Sequence, residues 1–221
     1  MELMEAIKNR HSVRAYLNAP IEDDIKAELN ALIDECNKEG GLHIQLITDE
    51  PKAFDCRMAR YGHFYGVKNY VVFVGKKCDN LDEKCGYYGE KILLRAQQLG
   101  LNSCWVGLSY KKNPEAYEIC DGEKLVLVAA IGYGANQGKE HKIKSFDEVT
   151  SVEGEVPEWF KNGVEAALLA PTAINQQKFK FVLKGDTVTA KCGFGPYAKL
   201  DLGIVKYHFE VGAGKDNFRW A

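Results

Sequence analysis

No apolar run in this sequence is long enough to span a bilayer. The longest, Leu125–Ile131, has seven residues where about twenty are needed. Met1–Arg10 mixes Glu2, Glu5 and Lys8 with single apolar residues and lacks the apolar stretch of a signal peptide. Neither charge sign dominates: 29 Lys and Arg face 31 Asp and Glu, a formal net charge of -2. That balance supplies no field to hold a polyanion and argues against nucleic acid as a partner. The seven cysteines, at 36, 56, 78, 85, 104, 120 and 192, are odd in number and include no Cys-x-x-Cys pair. Their spacing argues against a zinc site and a disulfide framework, leaving thiols in a reducing compartment. No complete Gly-x-Gly-x-x-Gly follows a strand-like run, so a dinucleotide-binding Rossmann motif is poorly supported. Together these absences lead us to expect a cytoplasmic chain away from membranes.

What is present fits one domain of 221 residues with a sizeable core. Apolar spacing predicts helices over Met1–Asn9, Glu22–Lys38, Asp82–Leu99, Glu155–Ala170 and Tyr197–Val211, with a shorter one from Pro114 to before Gly122. Strands are predicted at Leu42–Thr48, Tyr70–Gly75 and Lys124–Gly132, with a hairpin at Phe179–Leu183 and Val188–Lys191 turning at Gly185-Asp186. A loop is expected after Gly100. The tail holding Phe218 and Trp220 must dock if it is ordered. Helix, polar loop and strand recur at 24–48 and 157–183, which suggests a pseudo-repeat. The fold class expected is α+β, a central, mainly antiparallel sheet surrounded by helices. Residues 1–150 would be its main part and 151–221 a C-terminal half-repeat, with the polar stretch 135–155 as linker.

Four segments carry chemistry. Arg10-His11-Ser12-Val13-Arg14 places two guanidiniums and a hydroxyl within five residues, donors that match phosphate oxygens. By itself it reads as a solvated basic turn, with Arg10 favourable at a helix C-terminus. Ala170-Pro171-Thr172-Ala173-Ile174-Asn175-Gln176-Gln177 offers a hydroxyl and three amides, suited to the edge of a heterocycle or to local capping. Leu99–Gly107 ends a long helix and brings Trp105 and Gly107; the tryptophan could face a ring or fill the core. Gly132-Tyr133-Gly134 precedes Lys139, His141, Lys142 and Lys144, which could meet a phosphate or simply water. The five histidines, 11, 43, 63, 141 and 208, form no recognisable dyad, and no catalytic acid or base is assigned.

Taken together, these segments resemble the nitroreductase family of flavoproteins. The family's Arg-x-Ser-x-Arg stretch matches Arg10–Arg14. Its Ala-Pro-Ser-x-x-Asn-x-Gln loop matches Ala170–Gln177, its glycine- and tryptophan-bearing turn matches Gly100–Gly107, and its Gly-Tyr strand end and basic stretch match Gly132-Tyr133 and Lys142–Val149. The match spans about residues 1–183. The Pro-Thr-x-x-Asn loop stands far later here than in usual members, which resembles a permuted or duplicated subgroup. Lys178-Phe179 replaces a common Pro-Trp.

The resemblance implies FMN bound in a homodimer, with NAD(P)H as reductant and a small acceptor, such as a nitroaromatic or quinone, served by a ping-pong mechanism. It assigns phosphate and ribityl to Arg10, Ser12 and Arg14, with His11 beside them and Lys142 or Lys144 assisting. It assigns the ring edge to Pro171, Thr172, Asn175 and Gln177, and the reactive face to Trp105, Val106 and Gly107. A non-catalytic flavin-binding module, a sensor or carrier, is the alternative.

Overall fold

The computed structural model describes all of residues 1–221. Its helices are α1 (Leu3–Asn9), α2 (Asp23–Gly40), α3 (Arg57–Tyr61), α4 (Leu81–Gln98), α5 (Phe146–Val149), α6 (Glu158–Leu168) and α7 (Ala198–Ala213). The strands are β1 (Gln45–Ile47), β2 (Asn69–Lys76), β3 (Asn102–Val106), β4 (Glu123–Gly132), β5 (Thr150–Glu153), β6 (Phe179–Lys184), β7 (Thr187–Cys192) and β8 (Arg219–Trp220). The residues gather into two compact units. The first comprises Asn9–Leu81 and Ile92–Lys139; the second comprises Met1–Lys8, Asp82–Lys91 and Glu140–Ala221.

In the first unit, α2 buries Leu29, Ile33 and Cys36 at helical spacing, and its acidic first turn, Asp23 and Asp24, complements the helix dipole. The apolar run of β2 is buried from Asn69 to Gly75, as a strand covered on both faces must be. Four antiparallel strands follow the order β1-β2-β4-β3. Tyr70, Val72, Val74, Val128 and Ala130 point into one core with Phe54, Phe64, Tyr16 and Cys104. Two expectations change here. Residues 102–106 form β3 rather than a loop, because Asn102–Val106 pairs in register with Val128–Gly132. Residues 114–121 form no helix: Tyr117 is buried, and the Gln45 side chain takes both backbone groups of Glu118, its Nε2 donating to the carbonyl and its Oε1 accepting from the N–H, each at 2.8 Å. β1 is also shorter than expected, since only Gln45–Ile47 finds continuous partners on β2.

In the second unit, β6 and β7 form the expected hairpin, and β5 and β8 join it in parallel to give the order β5-β6-β7-β8. The strands thus divide into two sheets, one in each unit. The two helix–loop–strand segments lead to different places: β1 is an antiparallel edge strand, whereas β6 lies between a parallel and an antiparallel neighbour. Residues 146–153, expected within a linker, form α5 and β5. Ser145 and Glu148 make a reciprocal capping box that starts the helix. The docked tail closes an aromatic core around Phe209, whose ring lies 4.6 Å from Phe181, 5.1 Å from Phe218 and 5.5 Å from Trp220.

The helix α7 is nearly all buried, and it packs by backbone approach. A Cβ on Gly203 would strike the Glu83 carbonyl of α4, and one on Gly86 of α4 would strike the Leu200 carbonyl. Gly212 meets the Asn162 carbonyl of α6 in the same way. His208, fully buried, sits between the Ala166 carbonyl and the Glu90 carboxylate, each 3.0 Å from a ring nitrogen. It is a satisfied core histidine.

Candidate functional site

The structure brings the sequence-predicted residues together in two groups, one per unit. In the first unit, the chain leaves α1 at Asn9 and runs extended along the outer edge of β3. Ser12 bridges Ser103 in parallel, and the Val13 N–H donates to the Ser103 carbonyl at 3.0 Å. Further on, Tyr65 donates to the Arg14 carbonyl, Tyr16 to the Tyr65 carbonyl and Leu17 to the Tyr133 carbonyl. The extended backbone alternates its side chains: Val13 is fully buried, and Arg14 is exposed. Arg10 is 2% exposed, so one guanidinium is inside and the other outside.

Both nonetheless act on the same place. Burial pushes the Cys104 thiol up, and the Arg14 charge, the Ser12 hydroxyl and the Arg10 charge oppose that rise. Burial likewise holds the Tyr16 hydroxyl well above its ordinary value, Cys104 adds to the rise, and Arg14 and Arg10 oppose it. Ser12 stands next to this part of β3 through its bridge to Ser103, and the charges of Arg14 and Arg10 both favour an ionised Cys104. The Tyr16 hydroxyl donates to the Val13 carbonyl at 2.8 Å and fixes the stretch. The Arg14 guanidinium lies 5.9 Å from the Phe64 ring centre. Gly138 lies against His11, where a Cβ would collide. Asn102 steadies the turn that carries it, accepting from the Gly134 N–H and donating to Gln137, both at 3.0 Å. Along the β3 edge come Trp105, stacked on Phe73 at 4.7 Å, then buried Val106 and half-buried Gly107.

Sequence reasoning missed Tyr16, Asn102, Ser103 and Cys104. Ser103 is buried with its hydroxyl lacking a partner, and Asn102 is 3% exposed. A strand reading of 102–106 would have singled out Asn102 and Ser103 as polar residues at core positions, whereas the pairing of Ser103 with Ser12 is seen only in the fold.

In the second unit, the 171–177 loop and the basic stretch form one tied piece. The Gln177 side chain accepts from the Lys144 N–H at 2.9 Å and donates to the Lys142 carbonyl at 2.7 Å and to the Asn175 amide oxygen at 2.8 Å. Asn175 also donates to the Lys142 carbonyl, and the Thr172 hydroxyl accepts from the Gln177 N–H. The Lys144 ammonium turns onto the Gln177 carbonyl at 2.9 Å, whereas Lys142 is exposed. Pro171 ends α6's approach and is half-buried. The backbone here is strained: Ile174, Asn175 and Gln177 have φ of 48°, 54° and 43°, a region that side-chain-bearing residues seldom occupy.

Asp201 of α7 anchors the loop, a role the sequence did not disclose. Its carboxylate accepts the Ala173 N–H at 3.0 Å and the Gln176 amide at 2.7 Å. Burial pushes its pKa up to about 6, against the two hydrogen bonds. Its one signal was an acid on the otherwise apolar stretch Leu200–Val205.

Each group by itself is rich in donors: guanidiniums and a hydroxyl in the first, amides and an exposed ammonium in the second. Over residues 2–213 the sequence matches the family model described as "Putative TM nitroreductase". No curated protein matches it. Among solved structures it is similar to a "putative nitroreductase" of Thermotoga maritima, with 20% identity and a TM-score of 0.69, over 98% of this chain and 85% of that one. It is also similar to a nitroreductase of B. subtilis, with 16% identity and a TM-score of 0.50, over 65% and 71% of the two chains. A third, a "putative nitroreductase" of Desulfovibrio desulfuricans in complex with FMN, has 18% identity and a TM-score of 0.49, over 71% and 99%.

Proposed function

The chain belongs to the nitroreductase family, and from that premise we propose that it is an FMN-dependent NAD(P)H oxidoreductase working as a homodimer. The observation that carries this reading is the extended Arg10–Arg14 segment held along the β3 edge by the Ser12–Ser103 bridge and the Val13 hydrogen bond, with the Arg14 guanidinium exposed. An exposed guanidinium, a second one buried, and a hydroxyl that both donates and accepts give this strand edge a donor-rich, positive character, which suits a phosphate and the polyol beside it. Bound FMN supplies the redox chemistry, taking hydride from NADH or NADPH and passing electrons to a small acceptor, such as a nitroaromatic or quinone, in a ping-pong sequence.

The residues of the chain bind and orient. Arg14, exposed at the edge, reaches the phosphate, and buried Arg10 adds charge behind it. Ser12 and His11 flank the polyol. The backbone of Trp105, Val106 and Gly107 lines the ring, with the indole held from behind by Phe73. The strained loop carries Pro171, Thr172 and Asn175, groups suited to a ring edge, and buried Gln177 holds it from within. Asn175 and Gln177 already hold Lys142 and Lys144 in place, which leaves the exposed Lys142 ammonium for an anion. A fully satisfied Gln177 acts as a rigid brace, because its amide makes three hydrogen bonds within the unit.

The test is optical. The purified protein is expected to be yellow and to bleach when NADH or NADPH is added without oxygen. A yellow protein that never bleaches is a flavin-binding module, and a colourless one that takes up no FMN overturns the reading. Arg14→Ala should lower FMN affinity about tenfold or more, the worth of a charged hydrogen bond, and Lys112→Ala should not. Equal losses would sink the phosphate assignment.

A further inference from the structure

A second cluster of reactive side chains lies at the far end of the first unit's sheet. Cys120-Asp121-Gly122-Glu123 is a tight turn in which the Glu123 N–H donates to the Cys120 carbonyl at 3.0 Å. Gly122, with φ of 79°, supplies the left-handed corner. The turn brings Cys120 and Glu123 side by side, and the Cys120 N–H aims the carboxylate by donating to Glu123 Oε2 at 2.8 Å. On the same oxygen, from a chain position 80 residues away, comes His43 Nδ1 at 2.9 Å. His43 is itself fixed, its N–H donating to the Val74 carbonyl at 2.8 Å. The His43 nitrogen, the Cys120 sulfur and a Glu123 oxygen all lie within 4.8 Å of one another. Glu118 adds a carboxylate oxygen 3.6 Å from the sulfur.

We infer that His43, Cys120 and Glu123 form a binding site for a divalent cation of the zinc class. The donor set is one imidazole nitrogen, one sulfur and one carboxylate oxygen, the combination zinc prefers over magnesium or calcium. Tetrahedral zinc with bonds near 2.0–2.3 Å holds its ligands ~3.5 Å apart, a spacing close to that of the three donor atoms here. Three protein ligands leave a fourth position for water, with Glu118 placed to accept a hydrogen bond from it. The absence of a Cys-x-x-Cys pair argued against such a site in the sequence. The fold removes that requirement by returning His43 to the Cys120 turn.

The site is separate from the residues assigned to the flavin. Glu123 and Gly132 stand at opposite ends of β4, ten residues long and therefore spanning ~30 Å. Gly132 is at the Tyr16 end. The cation would thus pin β4 and the His43 segment across β2, and it does not depend on the oxidoreductase reading.

The experiment is a zinc titration of the full chain, freed of metal by a chelator, in competition with a chromogenic chelator. One zinc per chain is expected. Cys120→Ser, His43→Ala and Glu123→Gln should each weaken binding at least about tenfold, since each deletes a ligand. Cys78→Ser, at another exposed thiol, should change nothing. Zinc should also slow alkylation of Cys120 and leave Cys78 as reactive as before. No stoichiometric zinc on the wild-type chain, or wild-type affinity in Cys120→Ser and His43→Ala, overturns the site. FMN content, read on the same samples, should not change when zinc is removed, and its failure would not affect this result.

Discussion

At the level of single residues, Asp201 shows how a loop is held by a group that dislikes its own charge. Its surroundings raise its pKa from 3.8 to about 6. Between those values the folded chain holds the proton more tightly than the unfolded chain, so stability from this residue is present in acid and is lost as pH rises through 6. Asp201→Asn should flatten the stability curve over that interval, measured as the urea midpoint at pH 4, 5, 6 and 7. An unchanged slope would mean that another group titrates there. The loop it anchors keeps Ile174 88% exposed in left-handed backbone, a conformation a β-branched residue adopts only under constraint. The residues that could meet a phosphate or amide edge were visible in the sequence because they cluster: Arg10 with Arg14, Thr172 with Gln177. Asp201, Tyr16 and Cys104 were not: Asp201 broke its apolar stretch without revealing the distant loop it holds, and Tyr16 and Cys104 fit their local pattern as core residues.

Among elements, α7 sets the packing of the second unit. Gly203 lets its backbone touch that of α4, and Gly203→Ala would drive a methyl group into the Glu83 carbonyl. The helices must separate, and the substitution should cost about 1–3 kcal/mol or more, seen as a lower thermal midpoint. Gly100→Ala is a poor comparison because its positive φ brings its own strain. Gly193→Ala, where the nearest atoms allow ordinary contact, is the better control and should do little. Elements with long apolar periodicity, α2, α4, α7, β2 and β4, were legible from spacing alone. Those that failed are short. β3 reads as a polar loop because Asn102 and Ser103 occupy buried strand positions. The Pro114 segment reads as a helix because nothing local reveals the Gln45 side chain that takes its backbone groups. β5 hides in a polar stretch because a four-residue edge strand needs few apolar residues.

For the molecule as a whole, the second unit is gathered from three stretches of chain. Residues 140–221 hold most of its mass but lack the α4 segment that faces α7. That segment provides Glu90 to His208, Glu83 to Lys206 and Tyr87 to Glu210. A fragment of residues 140–221 should therefore stay largely unfolded by circular dichroism. Native helix content in that fragment would show that the α4 segment is dispensable. No helix of the chain is long and apolar enough to cross a membrane. The buried pairing of His208 with Glu90 spans 118 positions. During synthesis, Glu90 leaves the ribosome long before its imidazole exists, and its side of α4 must wait in water. Folding of that unit becomes a late event on the nascent chain, since its core closes only after α7 and the tail bearing Phe218 and Trp220 have been made.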